Sequence, residues 1–266
     1  MIRNELRLAL RRAEIHWLAT AGIVFAIAGI MTNAGHVYPA LSESRSAFQM
    51  ALIYGGNALY LLFIILTPIT AALSYTDCYL FERKAGVAQY VMTRRRRQSA
   101  YFFSKAAAIS ILAFALVTLP LFLNQLLCLF AYPWESHANT FATNVYSGDF
   151  YKDYEFIINP AMAMNHPFLT NILHICLVGV FAVALALTSY TITLYYGKSR
   201  ASVVVFPFLI SLSLDLISAF TTPNVSTSGI FIVLGDGNRT SLFPIICITS
   251  VMLIASSALI RRRSNE

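Results

Sequence analysis

The side chains able to do chemistry are few in this chain, and almost all stand alone in apolar surroundings. The five histidines, His16, His36, His137, His166 and His174, occur singly. No H-E-x-x-H offers two imidazoles on one helical face to a metal, and no G-x-S-x-G presents a nucleophilic serine. Gly197-Lys198-Ser199 resembles the end of a phosphate-binding loop, but the glycine that such a loop needs five positions earlier is Ile192. It also closes an apolar run that reads as a helix, whose continuous backbone cannot bend its amides around phosphates. This turn is therefore not expected to bind ATP. Asp215 is the acidic residue well inside an apolar run, and Ser211 and Ser218 share its helical face. A carboxylate in hydrocarbon needs a cavity or a polar partner, so Asp215 marks a translocation path, a contact to another helix, or solvation near one membrane face.

Three more polar groups fall in apolar stretches. Asn57 follows Gly55 and Gly56, a sequence that permits close helix contact. Asn124 and Gln125 follow Pro120, which frees a backbone carbonyl that neighbouring polar groups can satisfy. Together with Ser211, Asp215 and Ser218 they are the candidates for a path through the bundle. Cys78, Cys128, Cys176 and Cys247 form no C-x-x-C pair and read as small hydrophobes, so neither a metal site nor a disulfide framework is expected. No catalytic residues are identified.

The elements that must carry these groups follow from composition. Of the 266 residues, 58% are hydrophobic and 12% charged, and the mean hydropathy is +0.65. A soluble domain carries about 25% charged residues, so the solvent for most of this surface is lipid. Six apolar runs stand out: Trp17–Thr32, Ala51–Ser74, Tyr101–Ala131, Pro167–Tyr196, Ser202–Phe220 and Ser241–Ile260. Each reaches or approaches the roughly 20 residues that a helix needs to cross a hydrocarbon core of about 30 Å. The third and fourth are long enough to tilt or to extend beyond it.

The connections alternate in charge. Arg3, Arg7, Arg11 and Arg12 precede the first run. Arg83, Lys84 and Arg94 to Arg97 lie between the second and third, with Lys105 just inside the third. Lys198 and Arg200 separate the fourth and fifth, and Arg261 to Arg263 follow the sixth. Only Arg45, Lys152 and Arg239 fall in the alternate connections 36–50, 132–166 and 221–240. Basic excess marks the cytoplasmic side, which predicts a multi-pass protein of the cell membrane with both termini cytoplasmic. The net charge of +7 is thereby used in orientation and calls for no nucleic acid.

Residues 1–16 form a separate segment. Arg3, Arg7 and Arg11 follow an i, i+4 ladder beside Ile2, Leu6 and Leu10, the pattern of a helix lying in the membrane interface. A signal peptide ending at Ala26-Ile27-Ala28 is the competing interpretation, and would leave five crossings. The connection 132–166 is rich in aromatics (Tyr146, Phe150, Tyr151, Tyr154 and Phe156), which suits interfacial packing. Asn224-Val225-Ser226 and Asn238-Arg239-Thr240 are formal glycosylation acceptors.

The connection that begins Ser74-Tyr75-Thr76-Asp77-Cys78-Tyr79-Leu80-Phe81-Glu82-Arg83-Lys84-Ala85-Gly86 and ends Thr93-Arg94 resembles the intracellular loop of ABC-2 type permeases, the membrane subunits of a class of ABC exporters. Glu82, Gly86, Thr93 and Arg94 occupy the positions of its acidic residue, glycine, and threonine with arginine. Leu119-Pro120-Leu121-Phe122-Leu123-Asn124 and Asn165-His166-Pro167-Phe168-Leu169 resemble the third-span pattern and the approach to the fourth span in one branch of that family.

The resemblance implies an all-α integral membrane protein of type V exporter-like architecture: an amphipathic helix over residues 1–16 and a six-span domain over 17–266. It implies no cofactor in this chain. ATP and magnesium would be bound by a separate ABC ATPase subunit, and a second permease subunit, identical or related, would complete the path. The inner loop 75–100 would hold the coupling helix, with Asp77, Glu82, Arg83, Lys84, Gly86 and Tyr90 docking on the ATPase. Arg94, Arg95, Arg96 and Arg97 would anchor to lipid headgroups. Ser228–Gly235 would dip back into the outer leaflet. The alternatives are an ATP-independent transporter or channel working through Asp215, a membrane-embedded enzyme, and a sensor or immunity protein that transports nothing.

Overall fold

The computed structural model describes residues 1–34, 47–48, 50–54, 58–94, 98–132, 134, 166–196, 199–220 and 242–265. Among these residues the chain is helical throughout, without strands. They form nine α-helices in succession: α1 (Ile2–Leu10), α2 (Ala13–Ala34), α3 (Ala58–Leu73), α4 (Cys78–Lys84), α5 (Val87–Arg94), α6 (Gln98–Ala131), α7 (Pro167–Tyr196), α8 (Arg200–Phe220) and α9 (Leu242–Asn265). A short 3-10 turn, Leu52–Tyr54, precedes α3.

Five segments are long and apolar enough to cross a membrane: Ala13–Thr32, Ala58–Lys84, Gln98–Ala131, Pro167–Tyr196 and Arg200–Ile217. The chain is therefore a multi-pass membrane protein, since lipid leaves helices as the means of satisfying a spanning backbone in an all-α chain. The helix α9, 24 residues long, runs on through Arg261, Arg262 and Arg263.

The helices α6 and α7 bury about half of their length and form the centre, whereas α2 and α8 bury less than a quarter. Ile109, Ala113 and Val117 of α6 meet Val178, Phe181, Ala182 and Leu185 of α7 in the main apolar cluster. Around this pair, α2 lies on α6, α9 lies on α7, and α8 lies on α3 and α7. The partners of α9 include polar ones: Thr188 and Ser256 hydroxyls are 3.4 Å apart, and Tyr195 donates to the Leu259 carbonyl at 2.9 Å.

One contact in the central pair depends on a missing side chain. A Cβ on Gly179 would overlap Thr118 Cγ2 and sit 2.7 Å from the Phe114 ring. The Gly179→Ala variant is expected to lose roughly 1–3 kcal/mol of stability through overpacking. Adding Thr118→Ser, which deletes the obstructing methyl and keeps the hydroxyl that bonds Phe114 O, should restore part of it. Thermal unfolding midpoints in detergent measure both effects.

The described basic residues gather at one end of the bundle. There α1 lies on α6, Arg200 meets Asp77, and Arg263 sits 5.9 Å over the Tyr195 ring. Both ends of the described chain are on this basic side.

Candidate functional site

The chain turns from α3 into α4 through Tyr75, whose φ of +78° is the one positive value at a non-glycine residue among those described. Such a conformation costs about 1–3 kcal/mol and persists only where the surroundings impose it. They do so here: the ring carries the Arg12 guanidinium 4.5 Å from its centroid, and the hydroxyl donates to Glu5 at 3.2 Å. The next turn, from α4 into α5, is made by Gly86 at φ +73°. Nothing lies within 4 Å of a Cβ built there, so the glycine answers the left-handed backbone of a helix C-terminus and not a shortage of space.

These two turns set a hairpin of short helices, α4 and α5, over an ion network. Lys105, from the first turns of α6, is 0% exposed, and its ammonium lies 3.0 Å from Glu5 of α1 and 2.5 Å from Glu82 of α4. The Tyr101 hydroxyl donates to the second oxygen of Glu82. Beside this group, Asp77 accepts from Arg12, and its other oxygen is 2.9 Å from Arg200 Nε, an ion pair without hydrogen-bond alignment. Arg200 also donates to Glu14 of α2. Phe81 lies beneath both guanidinium groups, at 5.1 Å from Arg12 and 5.8 Å from Arg200.

Four carboxylates thus meet three cations drawn from α1, α2, α4, α6, α8 and the turns that join them. A network of this kind fixes geometry more than it stabilises, because desolvation offsets much of the attraction. Among the described residues no group of three or more His, Cys, Asp or Glu side chains could hold a metal.

The structure divides the residues expected to dock. Asp77 is 5% exposed and Glu82 is engaged by Lys105 and Tyr101, so both face the network. Arg83, Lys84, Gly86 and Tyr90 are exposed on the other side of the hairpin, together with Val87. Of the basic cluster, Arg95, Arg96 and Arg97 lie outside the described residues, and Arg94 is described by its backbone alone. The linear pattern gave no hint of Glu5, Glu14 or the pairing of Lys105. A lysine inside an apolar run was the signal available, since an ionisable group in a span has a partner by default.

The path candidates fall in two places. Asn124 and Gln125 of α6 are fully buried. Asn124 donates to the Ala26 carbonyl of α2 at 2.9 Å and accepts from the Leu52 backbone N–H at 2.9 Å. The Gln125 carbonyl accepts from Asn171 of α7 at 2.7 Å. Ser211, buried, and Asp215, half-buried and interacting, belong to α8. Ser218 is described by its backbone alone. Asn57, the connections 132–166 (apart from Tyr132, Trp134 and His166) and 221–240, and the segment Ser228–Gly235 lie outside the described residues. Ile192, where a phosphate-binding loop would need glycine, is inside α7.

No family model matches this chain, and neither a curated protein nor a solved structure resembles it. What sequence and geometry define together is a class: a multi-pass helical membrane protein whose basic end carries a helical hairpin seated on buried charges.

Proposed function

We propose that the chain is the membrane subunit of an ABC exporter of the ABC-2 type, working with a separate ATPase and a second permease subunit. In this reading α9 supplies a sixth crossing, the basic end faces the cytoplasm, and α1 lies in the membrane interface. The cargo is hydrophobic or amphipathic, since the walls offered by the spans are apolar.

The observation that carries the reading is the α4–α5 hairpin. Its outer side offers Arg83, Lys84, Val87 and Tyr90, charge and apolar surface together, which suits a protein partner. Its inner side is tied through Asp77 and Glu82 to α1, α6, α8 and the start of α2. Movement of the outer side by a partner is thereby passed to several helices at once, as coupling of ATP closure to a change of access requires.

Purification of the tagged chain in mild detergent tests this. An ATPase is expected to co-purify, and Arg83→Glu with Lys84→Glu and Tyr90→Ala should reduce its recovery at least tenfold while the chain stays monodisperse. Undiminished recovery sinks the assigned surface. Transport by the chain alone in liposomes, abolished by Asp215→Asn, establishes the ATP-independent reading instead.

A further inference from the structure

Between α2 and α3, at the end opposite the ion network, the chain enters the bundle. Met50, Ala51, Leu52 and Ile53 are each at most 3% exposed, and the turn they lead into packs against α2, α3, α6 and α7. This backbone is no part of a spanning helix. Irregular backbone at membrane depth is tolerated only where protein buries it or water reaches it.

Two of the described side chains hold it, and a third holds Phe48 just ahead of it. Asn124 accepts from the Leu52 N–H, Cys128 donates to the Met50 carbonyl at 3.5 Å, and Asn171 donates to the Phe48 carbonyl at 3.0 Å. Gly29 completes the seat: a Cβ there would fall 2.5 to 2.8 Å from the Leu52 side chain.

Beside these pins are two buried polar atoms without a partner among the described residues, Gln125 Nε2 and His174 Nε2. The Gln125 carbonyl is bonded to Asn171, so its amide donors are the unpaired part. His174 Nδ1 lies 2.9 Å from the Thr170 carbonyl, which only accepts, so the neutral ring carries its proton there and leaves Nε2 as an unpaired acceptor. Asn171 and His174 are one turn apart on α7, so both unpaired groups belong to one α6–α7 interface. Water would pair both. Seated, this strap is bonded by these side chains while Gln125 and His174 stay unpaired; released, it would admit the water that pairs them, which gives the element two states.

We infer that Met50–Ile53 is a gate over this end of the bundle, pinned by Asn124, Cys128 and Asn171 and biased toward release by Gln125 and His174. That the end faces outward rests on the orientation proposed above, and the experiment separates the two claims. Leu52→Cys is placed in a background carrying Cys128→Ser, which keeps a donor, and Cys176→Ala and Cys247→Ala. A membrane-impermeant maleimide is then added to intact cells and, separately, to inside-out vesicles.

Labelling is expected to be slow, at least tenfold faster with Asn171→Ala, and slower with His174→Phe. The pair Gly29→Cys and Leu52→Cys should form a disulfide in high yield, reporting the seated state. Rates insensitive to both substitutions, in monodisperse protein, overturn the gate and leave a fixed plug. The expected rate ratios appearing only in inside-out vesicles keep the gate and overturn the orientation.

Discussion

Lys105→Met is expected to destabilise the protein by about 3–5 kcal/mol, the cost of removing one partner from a buried ion pair. The ammonium is fully enclosed and faces two carboxylates at 3.0 and 2.5 Å. Methionine fills similar space but leaves the Glu5 and Glu82 carboxylates without their shared cation, with the Tyr75 and Tyr101 hydroxyls as donors among the described residues. Glu5 is the attachment of α1 to this site, so detachment should accompany the loss. Trypsin should then cleave after Arg3 and Arg7 several-fold faster than in the parent. The companion variant Glu5→Gln, Glu82→Gln, Lys105→Met removes all three charges. It is expected to recover part of the lost stability, because the uncompensated charges are gone while two neutral amides remain to be paired. Denaturant unfolding in detergent supplies the stabilities, and the difference between single and triple variants isolates the uncompensated charge.

Five spans were legible in the sequence because lipid is their solvent, and hydropathy reports that directly. Pro167–Tyr196 coincides with α7 at both ends. Helix does not stop where apolarity stops, however. The helix α2 begins at Ala13, ahead of Glu14 and His16, and α9 continues through Arg261–Arg263, since a helix propagates readily into polar residues outside the hydrocarbon.

The ion network was hidden for a different reason. Glu5 stands between Arg3 and Arg7 and looks like a solvated charge on an amphipathic helix. Its partner is 100 residues away in sequence. Asp77 and Glu82 sit in the loop read as a docking segment, and nothing linear distinguishes their inward side from the outward side of Arg83, Lys84 and Tyr90. What decides it is where Tyr75 and Gly86 turn the chain.

The approach to α3 shows the limit of hydropathy itself. Ala51–Ser74 reads as one apolar run, yet the helix begins at Ala58 and residues Leu52–Tyr54 form a 3-10 turn. Burial in protein and burial in lipid demand the same apolar side chains. Only the backbone distinguishes them, because lipid forces a helix while a protein interior can meet an N–H or C=O with a side chain. Asn124 and Asn171 are the side chains that do so, at 2.9 and 3.0 Å.

Asn124→Leu therefore tests more than a packing position. Leucine occupies similar volume, so the loss is of hydrogen bonds: the Leu52 N–H would have no acceptor, and the bridge to Ala26 of α2 would be cut. The Ala26 carbonyl is a helical one, whereas Leu52 is buried to 1% and has no water to turn to. The weak bond from the Cys128 thiol to the Asn124 carbonyl would go as well. An unpaired buried amide of this kind is expected to lower stability by roughly 2–4 kcal/mol. Asn124→Asp keeps the accepting oxygen and loses the donor, so it should hold Leu52 and fail at Ala26, at the added cost of a buried charge. Two measurements separate these. The unfolding midpoint reports total loss, and maleimide labelling of Leu52→Cys reports the strap alone. Leucine is expected to accelerate labelling strongly and aspartate much less. Equal acceleration by both would mean that Asn124 seats the strap through its bond to Ala26 and not by accepting from the Leu52 N–H.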